Sequence, residues 1–255
     1  MSGSKEKLVS ISSYDRSSGT TSEFEVDLKE RYSTQTVKRV ILVQAQVPNL
    51  FPNIRSDYLQ NNELVLEEKG QAPVTIQVPT GQFTISQLSA TLQTLIDAVL
   101  TGGNSVTITT DPNTYKLTFT FTVEVQFSAA SSIYPVIGFE GGTGFSLVLT
   151  GQNTFNLQGL GMVYIHSPDI AQSHGIDPGR SSGLISLLGA VSLHDTPYGG
   201  NAYFQSSYDL MSDVDYGEQT RNLSTLRFVL RSQDGTKLPL PDNVDIKVLM
   251  KFILE

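Results

Sequence analysis

Strict alternation of apolar and polar residues is the feature that most constrains this chain of 255 residues. Between positions 115 and 127 every second residue is apolar, and half of the residues between them are threonine. Because successive side chains of a strand point to opposite faces, this pattern predicts a strand with one buried and one wet face. The same alternation runs from Val244 to Leu254 at the end of the chain. The sequence therefore predicts an antiparallel, mostly β protein.

One segment has a helical period instead. Its apolar residues recur at spacings of three and four, namely Ile85, Leu88, Leu92, Leu95, Ile96 and Val99. Thr84 and Gln87 fit a capping box at its start, and Gly102-Gly103 would end it. We expect one helix, over about residues 84–100, among many short strands. The alternating helices of a parallel α/β fold are missing, so the expected fold class is all-β: an antiparallel jelly-roll sandwich with one helix and long loops or a small insertion.

Charge and glycine are concentrated in the middle of the chain. The net charge is −8, and residues 117–220 hold nine acids and one base, Arg180, together with 14 of the 21 glycines. The strand-patterned segments lie mainly on either side of this block. We therefore expect one jelly-roll domain over residues 1–255, in which about 141–220 form a variable, loop-rich or inserted region on the outer surface.

Composition excludes several functional classes. The chain has no cysteine, so disulfides, thiolate metal sites and cysteine nucleophiles are ruled out. A net negative chain repels phosphate, so we expect no nucleic-acid partner. No run approaches the ~18 consecutive apolar residues of a membrane-spanning helix, so we expect no membrane span.

Motifs for catalysis are weak. Gly179–Gly183 fits G-x-S-x-G, which in α/β-hydrolases follows a strand and precedes a helix. Here Asp177-Pro178 precedes it, which is a turn signal, and His194 comes before Asp195 although the hydrolase order needs the histidine last. The three histidines lack the spacing of a metal-binding pair. We expect no enzyme activity and no cofactor.

One acidic cluster is a candidate metal site. It comprises Asp209, Asp213, Asp215 and Glu218, and hard cations such as calcium bind several carboxylate oxygens. Its spacing does not match a calcium-binding loop, because Gly217 stands where a ligand should be. A solvated acidic loop is the alternative that this spacing favours.

Four apolar residues are candidate interface residues. In the last strand Lys247 points outward, and the alternation places Leu249 and Ile253 on that same outward face. Such a strand either passes beneath a loop or the helix, or forms an apolar patch buried against a neighbouring subunit. Leu50 and Phe51 lie in a proline-bracketed loop, which is either a docking element or a plug for the core.

The order of several short motifs resembles a known family. The motifs are Ile11–Arg16, Phe24–Leu28, Val40–Asn49, Asn61-Asn62, Gly81–Thr84, Tyr115–Leu117, Ile137–Phe139, Leu226–Phe228 and Asp234-Gly235. Together they resemble the single jelly-roll minor capsid or penton proteins of large double-stranded DNA viruses and virophages. The resemblance covers most of residues 8–140 and 222–255.

This resemblance implies a structural role in the virion, after synthesis in the host cell cytoplasm. A penton protein forms homopentamers at icosahedral vertices, among trimers of a double jelly-roll major capsid protein. Two alternatives stay open. One is another minor capsid, or cement, protein of the same family, and the other is a jelly-roll carbohydrate- or receptor-binding module. An enzyme on a β-sandwich would instead need two carboxylates ~5–10 Å apart in a cleft.

Overall fold

The chain folds as two compact units. The computed structural model describes residues 5–28, 36–170, 187–205, 213–216 and 223–254. Unit 1 comprises Met1–Leu50 and Gly161–Glu255, and unit 2 comprises Phe51–Leu160. Unit 2 is therefore inserted into the chain of unit 1.

The described residues contain fifteen strands, all paired antiparallel, and two α-helices. In chain order the strands are β1 (Lys5–Ser12), β2 (Ser18–Thr20), β3 (Glu23–Asp27), β4 (Val37–Pro48), β5 (Glu63–Glu68), β6 (Val74–Gln77), β7 (Val106–Thr110), β8 (Leu117–Phe127), β9 (Ser146–Thr150), β10 (Met162–His166), β11 (Leu187–Ser192), β12 (Asn201–Gln205), β13 (Asp213–Asp215), β14 (Thr225–Arg231) and β15 (Lys247–Leu254). The helices are α1 (Ile85–Asp97) and α2 (Tyr134–Ile137), and a 3₁₀ turn covers Ser13–Asp15.

Unit 1 consists of two sheets. The first has the order β1-β15-β4-β12, with β13 also paired to β4, and the second has the order β11-β10-β14-β3-β2. When the short strands β2 and β13 are set aside, every connection crosses from one sheet to the other except the one between β10 and β11. This arrangement of eight strands is an antiparallel jelly roll. The fold class predicted from the sequence is confirmed.

Alternation explains how the jelly roll is filled. In β1 and β15 the buried residues face each other across the ladder, with Val9 opposite Met250, while the residues between them point outward. The two sheets pack closely where β11 crosses β4. A Cβ added to Gly189 would lie 2.5 Å from Leu42 Cδ2, so a larger residue at this position would require the Leu42 side chain to move.

Unit 2 is one sheet covered by a helix. The sheet has the order β6-β5-β8-β7, with β9 also paired to β8. Leu88, Leu92 and Ile96 of α1 are fully buried in one cluster with Phe119 and Phe127 of β8. The helical period of the sequence therefore corresponds to the face of α1 that packs into the core of this unit.

The start of α1 is as predicted. The Thr84 side chain accepts a hydrogen bond from the Gln87 backbone, and the Gln87 side chain accepts one from the Thr84 backbone. The helix ends at Asp97, three residues before the predicted end. A second, four-residue helix, α2, was not predicted. It ends at Ile137 and is capped by Gly138, whose φ of 79° is in the left-handed region that favours glycine.

Among the described strands β9 pairs only with β8, and on its other edge the Ser146 side chain bonds to the strand's own backbone. Ser146 Oγ donates a hydrogen bond to the Val148 carbonyl at 2.9 Å and accepts one from the Val148 N–H at 3.1 Å. Leu147 and Val148 are both about half exposed, at 49% and 50%. The serine therefore satisfies backbone groups that a further strand would otherwise pair with.

The segment at 141–220 does not form one inserted region. Its first part, up to residue 160, belongs to unit 2, and from residue 161 its described parts belong to unit 1. There β10 lies between β11 and β14 and buries Val163 and Ile165, which are 0% exposed. These residues therefore belong to a strand of the jelly roll. The inserted segment in this structure is unit 2, residues 51–160.

Candidate assembly surface

The outer face of the first jelly-roll sheet carries the candidate interface residues of the last strand. In β15, Val248, Met250 and Phe252 are buried, whereas Leu249 and Ile253 are half-buried on the opposite face. This is the orientation that the alternation predicts. Their role in an interface stays a prediction.

Four aliphatic side chains surround one lysine on this face. Lys251 of β15 pairs with Leu8 on β1 and with Ile41 on β4, so these three side chains share a face. Leu249 and Ile253 stand two positions before and after the lysine. They are diagonal neighbours of Leu8 across the ladder, a separation within reach of long side chains. We call Leu8, Ile41, Leu249 and Ile253 the aliphatic quartet.

One member of the quartet, Leu8, is exposed to solvent, and charged side chains lie next to the quartet. Leu8 is 64% exposed, the highest value among the large apolar residues that the structure describes as exposed. The Lys251 ammonium lies 2.7 Å from the Glu6 carboxylate, and Arg39 pairs across the ladder with Ile253. Aliphatic side chains next to paired charges are suited to a subunit contact, because they combine apolar burial with electrostatic orientation.

The other two interface candidates, Leu50 and Phe51, differ in burial. Leu50 is half-buried at the end of unit 1. Phe51 is only 3% exposed, and its ring packs edge to face on Tyr58, with centroids 6.1 Å apart. Phe51 is therefore buried within this chain, as the packing alternative expects, and its role as an interface residue stays a prediction.

The acidic candidates are only partly described. Asp209 and Glu218 lie outside the described residues, as do His174 and Gly179–Gly183. Asp213 and Asp215 belong to β13, and Asp215 is exposed. Across the ranges that the structure describes, no group of three acidic or histidine side chains is placed to hold a metal ion. Within those ranges no helix is long and apolar enough to cross a membrane.

A charged cluster on the second jelly-roll sheet was missed in the sequence. The Glu23 carboxylate forms ion pairs with both Arg227 and Lys237. Hydrogen bonds from Lys237 and from Arg227 lower the pKa of Glu23 to about 2. The three residues line an open depression of about 390 Å³, with Asp169 accepting a hydrogen bond from the Arg227 backbone at 2.7 Å.

The fold of the chain has a counterpart among solved structures. The strand order defines an antiparallel jelly roll that carries a sheet-and-helix insertion between its third and fourth strands, β4 and β10. Among solved structures, the chain is similar to the crystal structure of the mavirus penton protein, in selenomethionine-labelled form. The TM-score is 0.56 at 11% sequence identity, over 98% of this chain and 100% of that one. The resemblance noted in the sequence is thereby confirmed for the fold.

Comparisons at the level of sequence add nothing to this. No family model matches the chain. No curated protein matches it either.

Proposed function

We propose that the chain is a structural subunit of a viral capsid, the penton protein, with five copies around each icosahedral vertex. One observation carries the proposal: the fold likeness to the mavirus penton protein covers nearly all of both chains, including the insertion. A similar jelly roll alone would be weaker support, because this architecture serves many functions. The proposed role is structural, without enzyme activity or cofactor.

A ring of five identical subunits needs two different contact surfaces on each copy. Head-to-tail contacts of this kind close into a ring when the rotation between neighbours is right. We propose the aliphatic quartet as the centre of one of these surfaces, since it contains Leu249, Ile253 and the exposed Leu8. Leu50 is proposed as a peripheral contact. The second partner would be a double jelly-roll major capsid protein, in the virion.

The proposal is tested by the oligomeric state of the purified chain. Native mass spectrometry is expected to detect a pentamer whose population grows with concentration. A monomer at every concentration measured would contradict the pentamer. A trimer or dimer would favour a facet or cement position over a vertex.

A matched pair of variants tests the surface itself. Leu8→Asp places a charge in the aliphatic quartet, and it is expected to weaken the pentamer at least tenfold in concentration. Leu147→Asp changes a leucine of comparable exposure, 49% against 64%, on the edge of unit 2. It is expected to leave the pentamer intact. Equal effects of both variants would refute the assignment of the contact to the quartet.

A further inference from the structure

The beginning and the end of unit 2 are held together by one buried asparagine. Asn53 is 3% exposed, and its Nδ2 donates to the Leu157 carbonyl at 3.2 Å and to the Phe83 carbonyl at 2.8 Å. Its Oδ1 accepts a hydrogen bond from the Phe83 N–H at 2.9 Å. One side chain thus joins the entry of the unit, its exit and the segment leading into α1.

Backbone contact reinforces this junction. A Cβ on Gly159 would lie 3.0 Å from the Asn53 Cα, and the φ of Gly159 is +65°. Only glycine permits both this conformation and this approach without strain. Asn61 adds to the junction by donating to the Asn53 carbonyl at 2.8 Å. The two ends of unit 2 therefore lie side by side.

In unit 1, the two points where the chain leaves for unit 2 and returns from it are also held by hydrogen bonds within the unit. Where the chain leaves β4, Asn49 Nδ2 donates to the Thr196 carbonyl at 2.7 Å and the Asn49 N–H to the Gly200 carbonyl at 2.7 Å. Where the chain returns, the Gly161 carbonyl accepts from the Leu193 N–H at 2.9 Å. Both attachment points are thus bonded to the single connection between β11 and β12.

Each unit also has a core of its own. Unit 2 buries one cluster of apolar side chains, all between residues 54 and 149. Unit 1 buries the inner faces of its two sheets, including Phe24 stacked on Phe228 with centroids 5.2 Å apart. A segment with its own core, and with its ends joined locally, meets the physical requirements of an independently folding domain.

We infer that unit 2 is an autonomous module, which unfolds and refolds separately from the jelly roll. In this inference Asn53 joins the two ends of unit 2, and Asn49 bonds the point where the chain leaves unit 1 to the rest of unit 1. The jelly roll can then lose the structure of its insert without losing its own. This inference does not depend on the assembly proposed above.

The test uses the full chain with one leucine changed in each core. Leu92 in α1 and Leu230 in β14 are both 0% exposed, so Leu92→Ala and Leu230→Ala make the same chemical change. In a thermal melt, each is expected to lower one transition by about 10 °C and leave the other within about 2 °C. Hydrogen exchange with peptide resolution assigns each transition to its unit.

The asparagines give the second pair of variants. Asn53→Ala is expected to speed exchange throughout unit 2 and to leave β14 and β15 protected, whereas Asn49→Ala is expected to do the reverse. Both effects are local because each side chain bonds only within its own unit in the contacts described above. If Leu92→Ala and Leu230→Ala each accelerate exchange equally in both units, the chain is one cooperative domain and the inference is overturned.

Discussion

The two units use the same local pattern in opposite ways. In unit 1, β1 pairs with β15, so Lys5 lies opposite Leu254 at the other end of the chain. In unit 2, β7 and β8 form a hairpin, and Val106 lies opposite Phe121. Both pairs of strands are amphipathic and antiparallel. Alternation therefore specifies that a segment is a strand, while the distance along the chain to its partner sets how difficult the unit is to form.

The second layer differs as well. Unit 1 covers each sheet with another sheet, and of the connections between its eight main strands only the one from β10 to β11 stays within a sheet. Unit 2 covers its sheet with α1, which follows directly from β6 and precedes β7. Local connections reduce the entropy that must be lost before contacts form.

The largest expected difference is therefore in folding rate. We expect the amides of β7 and β8 to become protected at least about tenfold faster than those of β1 and β15 after dilution from denaturant. Pulsed hydrogen exchange read by mass spectrometry measures both in one experiment. Simultaneous protection of the two sets of peptides would break the comparison.

The two units also differ in how a carboxylate is held: that of Glu68 in unit 2 is buried, whereas that of Glu23 in unit 1 lies at the surface. In unit 2 the Glu68 carboxylate is 8% exposed and accepts hydrogen bonds from the Thr101 N–H and hydroxyl, both at 2.8 Å, and from Asn104 at 3.1 Å. These bonds, led by the one from the Thr101 N–H, hold the pKa of Glu68 below its ordinary value of 4.5. Glu68→Gln is expected to reduce the free energy of unfolding of unit 2 by about 1–3 kcal/mol at neutral pH.

The pH dependence of Glu68 has a defined sign. Because folding lowers its pKa, the stabilisation is complete above about pH 4.5 and is lost as the pH falls through the folded value. Urea melts of the wild type and of Glu68→Gln should therefore converge on acidification. Glu67→Gln, next to it but half-exposed, is the control and should cost less. A gap that stays constant down to pH 2 would contradict the role of the ionised carboxylate.

In unit 1 the corresponding charge lies at the surface and should matter less. Arg227 and Lys237 are 52% and 44% exposed, so their ion pairs with Glu23 are screened by solvent. Glu23→Gln is expected to reduce the free energy of unfolding by less than about 1 kcal/mol. This contribution is present above about pH 4.5 and disappears towards pH 2, since folding lowers the pKa of Glu23 to about 2. Added salt should remove most of this contribution, which melts of the wild type and of Glu23→Gln at increasing salt concentration would measure.

The smallest effect is expected at a strained turn of unit 2. Gln60 is exposed and has a φ of 47°, in the left-handed region that asparagine tolerates better than glutamine. Gln60→Asn should raise the free energy of unfolding of unit 2 by about 0.5 kcal/mol. Tyr115→Asn relieves the same strain, at a φ of 53°, but removes the ring contact with Phe155. The free energy of unfolding should therefore rise less for Tyr115→Asn than for Gln60→Asn, or should fall.

Local features of the fold were predictable from the sequence. The capping box at Thr84 and Gln87, and the spacing of Leu88, Leu92 and Ile96, specify α1 within the segment itself. The alternation from 115 to 127 specifies β8 because one face of that strand is buried at every position except Val123, which is half-buried. Strand ends were less predictable: the alternation begins at Tyr115 and at Val244, whereas β8 begins at Leu117 and β15 at Lys247.

The boundaries of the units were not predictable. Pro48-Asn49 and the glycines at 159 and 161 look like ordinary loop residues, and only their bonding partners reveal two junctions. The charged cluster was equally hidden, because Glu23 is 204 residues from Arg227 and 214 from Lys237. For the candidate surface, the outward direction of Leu249 and Ile253 could be predicted. Its most exposed member, Leu8, could not, since it belongs to another strand.

Ser146 has a consequence for the behaviour of the protein at high concentration. An aliphatic edge strand such as β9, with Leu147 and Val148 half-exposed, is a template for uncontrolled strand-to-strand aggregation. The serine hydroxyl occupies the N–H and the carbonyl of Val148, so an incoming chain finds these groups already bonded. At high concentration the edge of β9 is therefore a poorer template for another copy of the chain than its two half-exposed aliphatic residues alone would suggest.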